Sequence, residues 1–109
     1  MLLTAHQDNH RTVLTVEGEI DLSTSGQLDD AVVESLGEET THLTLDLSEV
    51  TFLDSSGLGV IVKALKRAKE AGTAFDVVAS NDRVLKVFKL TGLDAVVEIY
   101  PTLDGVPGQ

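Results

Sequence analysis

The chain lacks cysteine and tryptophan, and it is poor in proline and aromatic residues. Its 109 residues include two prolines, one tyrosine and three phenylalanines. Without cysteine, neither a disulfide nor a cysteine-ligated metal site can form. No apolar run approaches the ~18 residues of a membrane span, and no amino-terminal leader pattern is recognisable. These features predict one soluble, cytoplasmic domain without membrane insertion, because the length suits a single hydrophobic core.

Basic residues are scarce as well, and they are unevenly placed. The net charge is −10; residues 1–62 hold one arginine and 12 acidic residues, whereas residues 63–109 hold seven basic and six acidic residues. An acidic chain repels nucleic acid and anionic membranes. We therefore expect a protein or a small molecule as the partner, and no direct contact with nucleic acid.

The hydrophobic pattern alternates between strand-like and helix-like segments. It predicts an α/β fold in the order β-β-α-β-α-β-α-β, with helices packed against a small mixed β-sheet. We assign residues 1–100 to this domain. Residues 101–109, "PTLDGVPGQ", combine prolines and glycines and are predicted to form a short turn followed by a flexible tail.

Several segment ends carry recognisable signals. Thr24 and Gln27 have the spacing of a capping box, and Gly37, Gly72 and Gly92 stand where helices are expected to stop. The predicted strands span residues 2–6, 11–20, 42–47, 74–79 and 95–100, with helices over 24–37, 55–72 and 80–92. Residues 48–53 are expected to be a connection.

The segment "DSSGLGVIVKAL", Asp54 to Leu65, is unusual because two glycines lie in the first turns of a predicted helix. Each glycine in a helix interior costs about 1 kcal/mol relative to alanine. We interpret Gly57 and Gly59 as bare backbone that admits another protein surface. A helical projection places Leu58, Ile61, Val62 and Leu65 toward the sheet. It places Ser56, Val60, Lys63 and Arg67 on the opposite side, so Val60 is predicted to be an exposed apolar contact.

Enzyme motifs are weak in this chain. "GLGVIV" has two glycines of a dinucleotide fingerprint but Val62 in place of the third, and neither a Walker A sequence nor a G-x-S-x-G elbow occurs. The three histidines, His6, His10 and His42, show no triad or metal spacing with Ser55. An acyl or phosphoryl transfer enzyme with Ser55 as its nucleophile is the least supported alternative, because no general base is apparent.

An acidic Mg²⁺ site is a further alternative. Asp21, Asp46 and Asp54 could form one, as in a phospho-accepting receiver domain. Such a domain also has a lysine at the end of a late strand, and "EIYPT" provides none. We therefore expect no metal and no cofactor.

Three segments together resemble a known family. These are "GEIDLSTSGQL" (Gly18 to Leu28), "LDLSEVTFLDSSGLGVIVKALKRAKEAG" and "VFKLTGLD". From about Thr12 to Tyr100 the chain resembles the STAS domain of bacterial anti-sigma factor antagonists. The resemblance implies a small mixed sheet with helices packed against it, in agreement with the predicted element order.

The resemblance also implies a function. Family members bind an anti-sigma factor that is also a serine kinase, and so release the sigma factor to activate transcription. The kinase phosphorylates the first serine of the D-S-S-G motif, here Ser55, and a serine phosphatase reverses the modification. By this resemblance the chain is a binding protein and not an enzyme. The predicted partner-binding residues are Asp21, Ser23, Asp54, Ser56, Gly57, Leu58, Gly59, Val60 and Lys63.

One alternative remains within the same family. A STAS domain can also be a constitutive subunit of a membrane transporter ATPase or of a sensory signalling complex. In that case Ser55 would be only a helix cap. The sequence also leaves open whether Ser56 is modified.

Overall fold

A five-stranded mixed sheet organises the chain. The computed structural model describes residues 1–107, and the strands lie in the order β1-β2-β3-β4-β5 across the sheet. The strands are β1 Leu2–Asp8, β2 Arg11–Ile20, β3 His42–Leu53, β4 Ala74–Val78 and β5 Glu98–Tyr100; the helices are α1 Ser25–Ser35, α2 Ser55–Ala71 and α3 Asp82–Thr91. The predicted α/β class and element order are confirmed.

A hairpin opens the domain, as predicted. β1 is antiparallel to β2, and every later pairing is parallel. The turn consists of Asn9 and His10, whose φ angles are 51° and 73°. Two residues with positive φ match the right-handed twist of a β-hairpin, and asparagine adopts this conformation readily.

The central strand β3 is longer than predicted. It runs to Leu53 and pairs with β2 up to Ile20, so the segment expected to be a connection is a strand. Its pairing with β2 is irregular, and Ser48 and Glu49 are both exposed. The strict alternation that identifies a strand therefore stops at Leu47 although the strand continues. Because of this extension, β2 and β3 end side by side.

One face of the sheet carries the hydrophobic core. Inward-facing residues of β2, β3 and β4 are almost fully buried beneath the helices. They include Leu14, Val16, Leu43, Leu45, Leu47 and Val77. The helices contribute Leu28, Val32, Ile61, Val84 and Phe88. Such burial is worth roughly 1.5–3 kcal/mol per large side chain, which makes it the main stabilising contribution.

The other face of the sheet is polar. Asp76 accepts hydrogen bonds from the Thr44 hydroxyl at 2.6 Å and pairs with His42 Nε2 at 2.6 Å. Arg11 donates to the same Thr44 hydroxyl oxygen at 3.2 Å. Thr44 and Asp76 are buried, and these bonds compensate for removing their polar groups from water.

Glycine ends two of the helices as predicted. Gly72 and Gly92 follow α2 and α3 with φ angles of 70° and 76°, the left-handed conformation of a helix C-cap. α1 ends earlier than expected. Its last residue is Ser35, and Leu36 caps it through N–H bonds to Val32 and Val33, so Gly37 lies beyond the helix.

The carboxyl-terminal segment packs more closely than its composition suggests. Leu103–Gly105 form a short 3₁₀ turn, and Val106 is only 2% exposed. The predicted turn is present, and the burial of Val106 shows that this residue packs against the domain. The end of the predicted tail, residues 108–109, lies outside the described residues. The last strand is also shorter than predicted, since Leu93–Ala95 form a 3₁₀ turn.

Candidate functional site

The two strands that end side by side are each followed by an aspartate. Ile20 pairs with Leu53, and the N–H of Asp54 donates to the carbonyl of Ile20 at 3.1 Å. Asp21 and Asp54 therefore lie at the same edge of the sheet. They are close enough for the charge of Asp21 to oppose ionisation of Asp54. Loops at the carboxyl ends of parallel strands are a common place for functional sites.

Asp54 caps the amino terminus of α2. Its Oδ1 accepts hydrogen bonds from the Ser56 hydroxyl at 2.5 Å, the Ser56 N–H at 2.9 Å and the Gly57 N–H at 3.3 Å. The bond from the Ser56 hydroxyl is the main reason that the pKa of Asp54 is lowered. Asp54 is therefore ionised at neutral pH, where an anion also suits the helix dipole.

The two serines of the D-S-S-G motif differ in their surroundings. The hydroxyl of Ser56 is held by Asp54, and Ser56 is half-buried. Ser55, the first residue of α2, is exposed, and within residues 1–107 its hydroxyl has no hydrogen-bond partner. Of the two serines in the motif, only Ser55 therefore presents a free hydroxyl to an approaching protein.

Asp21 is held in a second local cluster of hydroxyls. Its Oδ1 accepts from the Ser23 hydroxyl at 2.6 Å and the Ser23 N–H at 2.9 Å, and the Thr24 hydroxyl oxygen lies 3.3 Å from it. The Ser23 hydroxyl is the largest influence on Asp21 and lowers its pKa. The site thus contains two ionised carboxylates, each stabilised by a neighbouring serine.

The capping box predicted at α1 is absent. Thr24 is the N-cap residue by position, but its side chain makes no bond to the helix. Its hydroxyl instead donates to the Glu19 carbonyl at 3.0 Å and accepts from the Asp21 N–H at 2.9 Å. Thr24 therefore fixes the loop that carries Asp21, a tertiary role that the local spacing could not show.

Gly57 is not the bare outer surface that was predicted. It is buried, and a Cβ at this position would overlap the Ile20 side chain and lie 2.6 Å from Leu53 Cδ1. The glycine allows α2 to lie close against the ends of β2 and β3. Gly59 does agree with the prediction, since it is exposed and a Cβ there would meet nothing within 4 Å.

The predicted orientation of α2 is wrong by part of a turn. Val60 is 6% exposed and belongs to the core, whereas Val62, expected to face the sheet, is 48% exposed. The buried face consists of Gly57, Val60, Ile61, Ala64 and Ala68. Hydrophobicity alone favours the leucines, but small residues allow the closest approach, so they determine which face lies against the domain. The burial of Val60 therefore contradicts the prediction that it is an exposed partner contact.

Comparison with known proteins supports an assignment to one family. A family model described as the STAS domain matches residues 2–106. The chain belongs to the STAS domain family.

Relatives of this STAS domain include named regulators. It is 33% identical to an anti-sigma-B factor antagonist of Listeria monocytogenes, over 85% of this chain and 82% of the relative. It is 34% identical to an anti-sigma-F factor antagonist of Mycobacterium tuberculosis, over 93% and 82%. A crystal structure of an anti-sigma factor antagonist from Mycobacterium paratuberculosis superimposes with a TM-score of 0.88 at 33% identity, covering 94% and 87% of the two chains.

These relatives bear on two predictions. The resemblance to the STAS domain is confirmed by the family match and by the shared fold. The prediction of a regulatory binding protein, not an enzyme, is confirmed by relatives that are named as antagonists of anti-sigma factors.

The alternative Mg²⁺ site does not form in the STAS domain. Asp46 lies within β3 and accepts from the Ser48 N–H at 3.0 Å, whereas Asp21 and Asp54 lie beyond the strand ends. Among residues 1–107, no group of three histidine, cysteine or acidic side chains is arranged to hold a metal ion. In the same part of the chain, no helix is both long and apolar enough to cross a bilayer.

Two exposed apolar residues that lie close in the chain to Asp21 and Asp54 were missed by the sequence reasoning. Leu22, which follows Asp21, is 82% exposed, and Phe52, two residues before Asp54, is 46% exposed. They belong to the two chain segments that carry the carboxylates. Leu22 lay between a predicted strand and a predicted helix, and Phe52 in a stretch interpreted as a connection. Protein interfaces combine apolar side chains at the centre with polar groups at the rim, so these two residues are candidates for a contact.

The remaining predicted residues lie at different distances from Ser55. Ser23 is exposed beside Asp21, and Leu58 is half-buried and packs against the core. Lys63 is exposed on α2, eight residues beyond Ser55 and so about 12 Å further along the helix axis. Arg67 does not face a partner freely, because it forms an ion pair with Asp29 of α1.

Proposed function

We propose that this STAS domain is an anti-sigma factor antagonist. In this proposal it binds an anti-sigma factor serine kinase in the cytoplasm, and the sigma factor is released to activate transcription. Phosphorylation of Ser55 ends the interaction, and a serine phosphatase restores it. The names of the relatives support the general role. The observation that carries the switch is the free, exposed hydroxyl of Ser55, which directly follows the ionised Asp54 at a sheet edge that also carries the ionised Asp21.

The proposed contact surface surrounds Ser55. Leu22 and Phe52 supply apolar area, and Gly59 leaves the helix backbone open beside the serine. Asp21, Ser23, Asp54, Ser56 and Lys63 provide polar contacts, and Leu58 lies at the margin. Burying apolar area at the centre of an interface with polar groups at its rim is the usual anatomy of a reversible complex.

The phosphorylation step uses groups from both proteins. Ser55 Oγ attacks the γ-phosphorus of ATP bound to the kinase, the bond to the β-phosphate oxygen breaks, and ADP leaves. A base of the kinase takes the hydroxyl proton, because the D-S-S-G segment provides none. Asp54 cannot easily act as that base, since the Ser56 hydroxyl lowers its pKa and engages its oxygen. Ser55 is thus a substrate of the kinase.

The added phosphate opposes rebinding. It brings about −1.5 to −2 charge to a position beside Asp21 and Asp54. The helix amino terminus tolerates this charge, so the fold is retained. A partner that covers the site would have to remove a cluster of like charges from water, which is costly. Release therefore requires no large conformational change in this domain.

The direct test combines the purified protein with its cognate anti-sigma kinase and ATP. We expect intact mass spectrometry to show one added phosphoryl group in the wild type and in Ser56→Ala, and none in Ser55→Ala. The Ser56→Ala variant is the matched control, because it removes the neighbouring hydroxyl and leaves Ser55 in place. Modification that persists in Ser55→Ala would contradict the assignment.

A second measurement tests the electrostatic release. Ser55→Asp should fold normally by circular dichroism yet bind the kinase more weakly than Ser55→Asn, which has similar size without the charge. Equal binding by the two variants would refute repulsion as the cause of release. If no cognate kinase binds or modifies the wild type, the role of a constitutive transporter or sensory subunit becomes the better account.

A further inference from the structure

A groove runs along the opposite side of α1 from α2. It has a volume of about 890 Å³ and lies between β1, α1 and the segment that joins α1 to β3. Inward-facing residues of β1 form one wall, and one stripe of α1 forms the other: Leu3, Ala5, Gln27, Asp30, Ala31 and Glu34. None of the residues assigned to the Ser55 site lines it. The groove is therefore a separate surface.

The groove exists because the helical layer is narrower than the sheet. The inward-facing side chains of β2 and β3, such as Leu14 and Leu45, are at most 1% exposed. On β1 the equivalent positions are less protected, since Leu3 is half-buried and Ala5 is exposed. Of the described helices, α1 borders this strand without burying it.

The size of the groove agrees with a short helix. A helix about 10 Å in diameter with a pitch of 5.4 Å occupies roughly 420 Å³ per turn. The volume of the groove is therefore of the same order as that of a short helical segment. The floor, formed by small and apolar residues such as Ala5 and Ala31, allows a helix to approach closely.

The charge of the groove determines what kind of helix fits. Asp30, Glu34, Glu38 and Glu39 line it, and the described lining includes no lysine or arginine. The two ion pairs found in residues 1–107, those of Asp29 and Asp76, lie elsewhere. The lining also includes Met1, whose amino group is its one cation among the described residues, so negative charge is in excess in the groove.

The position of Glu34 in its helix is also electrostatically unfavourable. It lies in the last turn of α1, where the helix dipole disfavours an anion, and no basic residue occupies that turn. An arrangement that opposes stability is expected where a surface serves binding. A basic partner would make the electrostatic interaction of Glu34 favourable.

We infer that this groove binds a basic amphipathic helix of a partner protein. Small apolar side chains of that helix contact Leu3, Ala5 and Ala31, and its lysines or arginines pair with the four carboxylates. A second copy of this chain is a poorer occupant. Its basic helix α2 carries exposed lysines, but the opposite face of α2 is packed into its own domain and cannot enter the groove.

The probe is a synthetic helical peptide of about 15 residues with alanine and leucine on one face and lysine on the other, since shorter helices are marginal in water. A peptide with glutamate in place of lysine, and one with a scrambled sequence, serve as comparisons. We expect fluorescence anisotropy to detect only the basic amphipathic peptide. Amide chemical shifts should change at Leu3, Ala5 and Ala31.

Matched variants separate groove binding from general attraction to an acidic protein. Glu34→Gln with Glu38→Gln should weaken binding about ten-fold or more, as loss of close charge pairs at an interface does. Glu17→Gln with Glu49→Gln removes the same charge from exposed positions outside the groove and should change the affinity little. Ala5→Phe, which fills the groove without changing charge, should also abolish binding. Circular dichroism checks that each variant folds.

Several results would overturn the inference. Equal losses in the two double variants would mean that the peptide responds only to net charge. Equal binding of the scrambled peptide would mean that the groove does not recognise a helix. Self-association of the wild type in sedimentation, lost in Glu34→Gln with Glu38→Gln, would identify a second copy as the occupant. None of these outcomes depends on Ser55, so this inference and the proposed switch can fail independently.

Discussion

The two glycines of α2 should respond in opposite ways to the same substitution. We predict that Gly59→Ala stabilises the domain and that Gly57→Ala destabilises it relative to Gly59→Ala. The residues lie two positions apart in one helix, so their intrinsic preference for helix is similar. What differs is the space that a methyl group would meet.

The magnitudes follow from that difference. At Gly59 the added Cβ has no atom within 4 Å. The unfolding free energy should therefore rise by the helix propensity of alanine over glycine, about 0.5–1 kcal/mol. At Gly57 the Cβ would overlap Ile20 and lie 2.6 Å from Leu53 Cδ1. Both neighbours are buried, and overpacking of a core typically costs about 1–3 kcal/mol. The two variants should therefore differ in unfolding free energy by about 1–3 kcal/mol.

Urea denaturation followed by circular dichroism measures this difference. The midpoint should rise for Gly59→Ala, while the slope of the transition should stay constant in both variants, because neither changes the surface exposed on unfolding. Kinase binding provides a second readout. If Gly59 admits the partner, Gly59→Ala should weaken binding although it stabilises the fold.

Equal stability of the two alanine variants would refute the packing account of Gly57. Destabilisation by Gly59→Ala would show that this position is not open. If Gly59→Ala binds the kinase as tightly as the wild type does, the glycine does not serve partner access, and the sequence interpretation of both glycines fails.

Two further predictions concern single interactions. Because the fold lowers the pKa of Asp54, ionisation of Asp54 stabilises the folded state at all pH values above its ordinary pKa of 3.8, and this contribution is lost as the pH falls through the folded-state pKa. The stability advantage of wild type over Asp54→Asn, measured by urea denaturation, should therefore shrink below pH 3.8; a gap independent of pH would contradict this. Val106→Ala should lower the unfolding free energy by about 1.5 kcal/mol, from roughly 0.8 kcal/mol per buried methyl group. Val96→Ala, at a residue 57% exposed, should change it little, and equal effects would refute packing of the carboxyl-terminal segment.

Some of the site was predictable because its signals are local. Asp54 has the chemistry of a helix cap, and its bonds to Ser56 and Gly57 reach only two and three residues along the chain. The signals that end α2 at Gly72 and α3 at Gly92 are equally local. Interactions of this kind depend on neighbours that the sequence already places together.

Other features of the site depended on contacts between distant segments. Thr24 was taken as a cap, but its hydroxyl fixes the loop of Asp21. The exposure of Leu22 and Phe52 likewise depends on which neighbours cover them. A periodic pattern does not contain this information.

The sequence by itself determined the element order, because propensity and periodicity act within a few residues. The resemblance of its motifs to the STAS domain indicated the family and named Ser55 as the candidate. Only the tertiary structure decided the orientation of α2. Leucine-rich positions suggested one face, but the close approach of the helix to Ile20 and Leu53 requires Gly57 at the contact, which buries Val60 and exposes Val62. Gly57 is thus required by the fold, whereas Gly59 remains available to a partner. The sequence could not separate the two glycines, because packing depends on which surfaces meet, and hydrophobicity alone does not specify those surfaces.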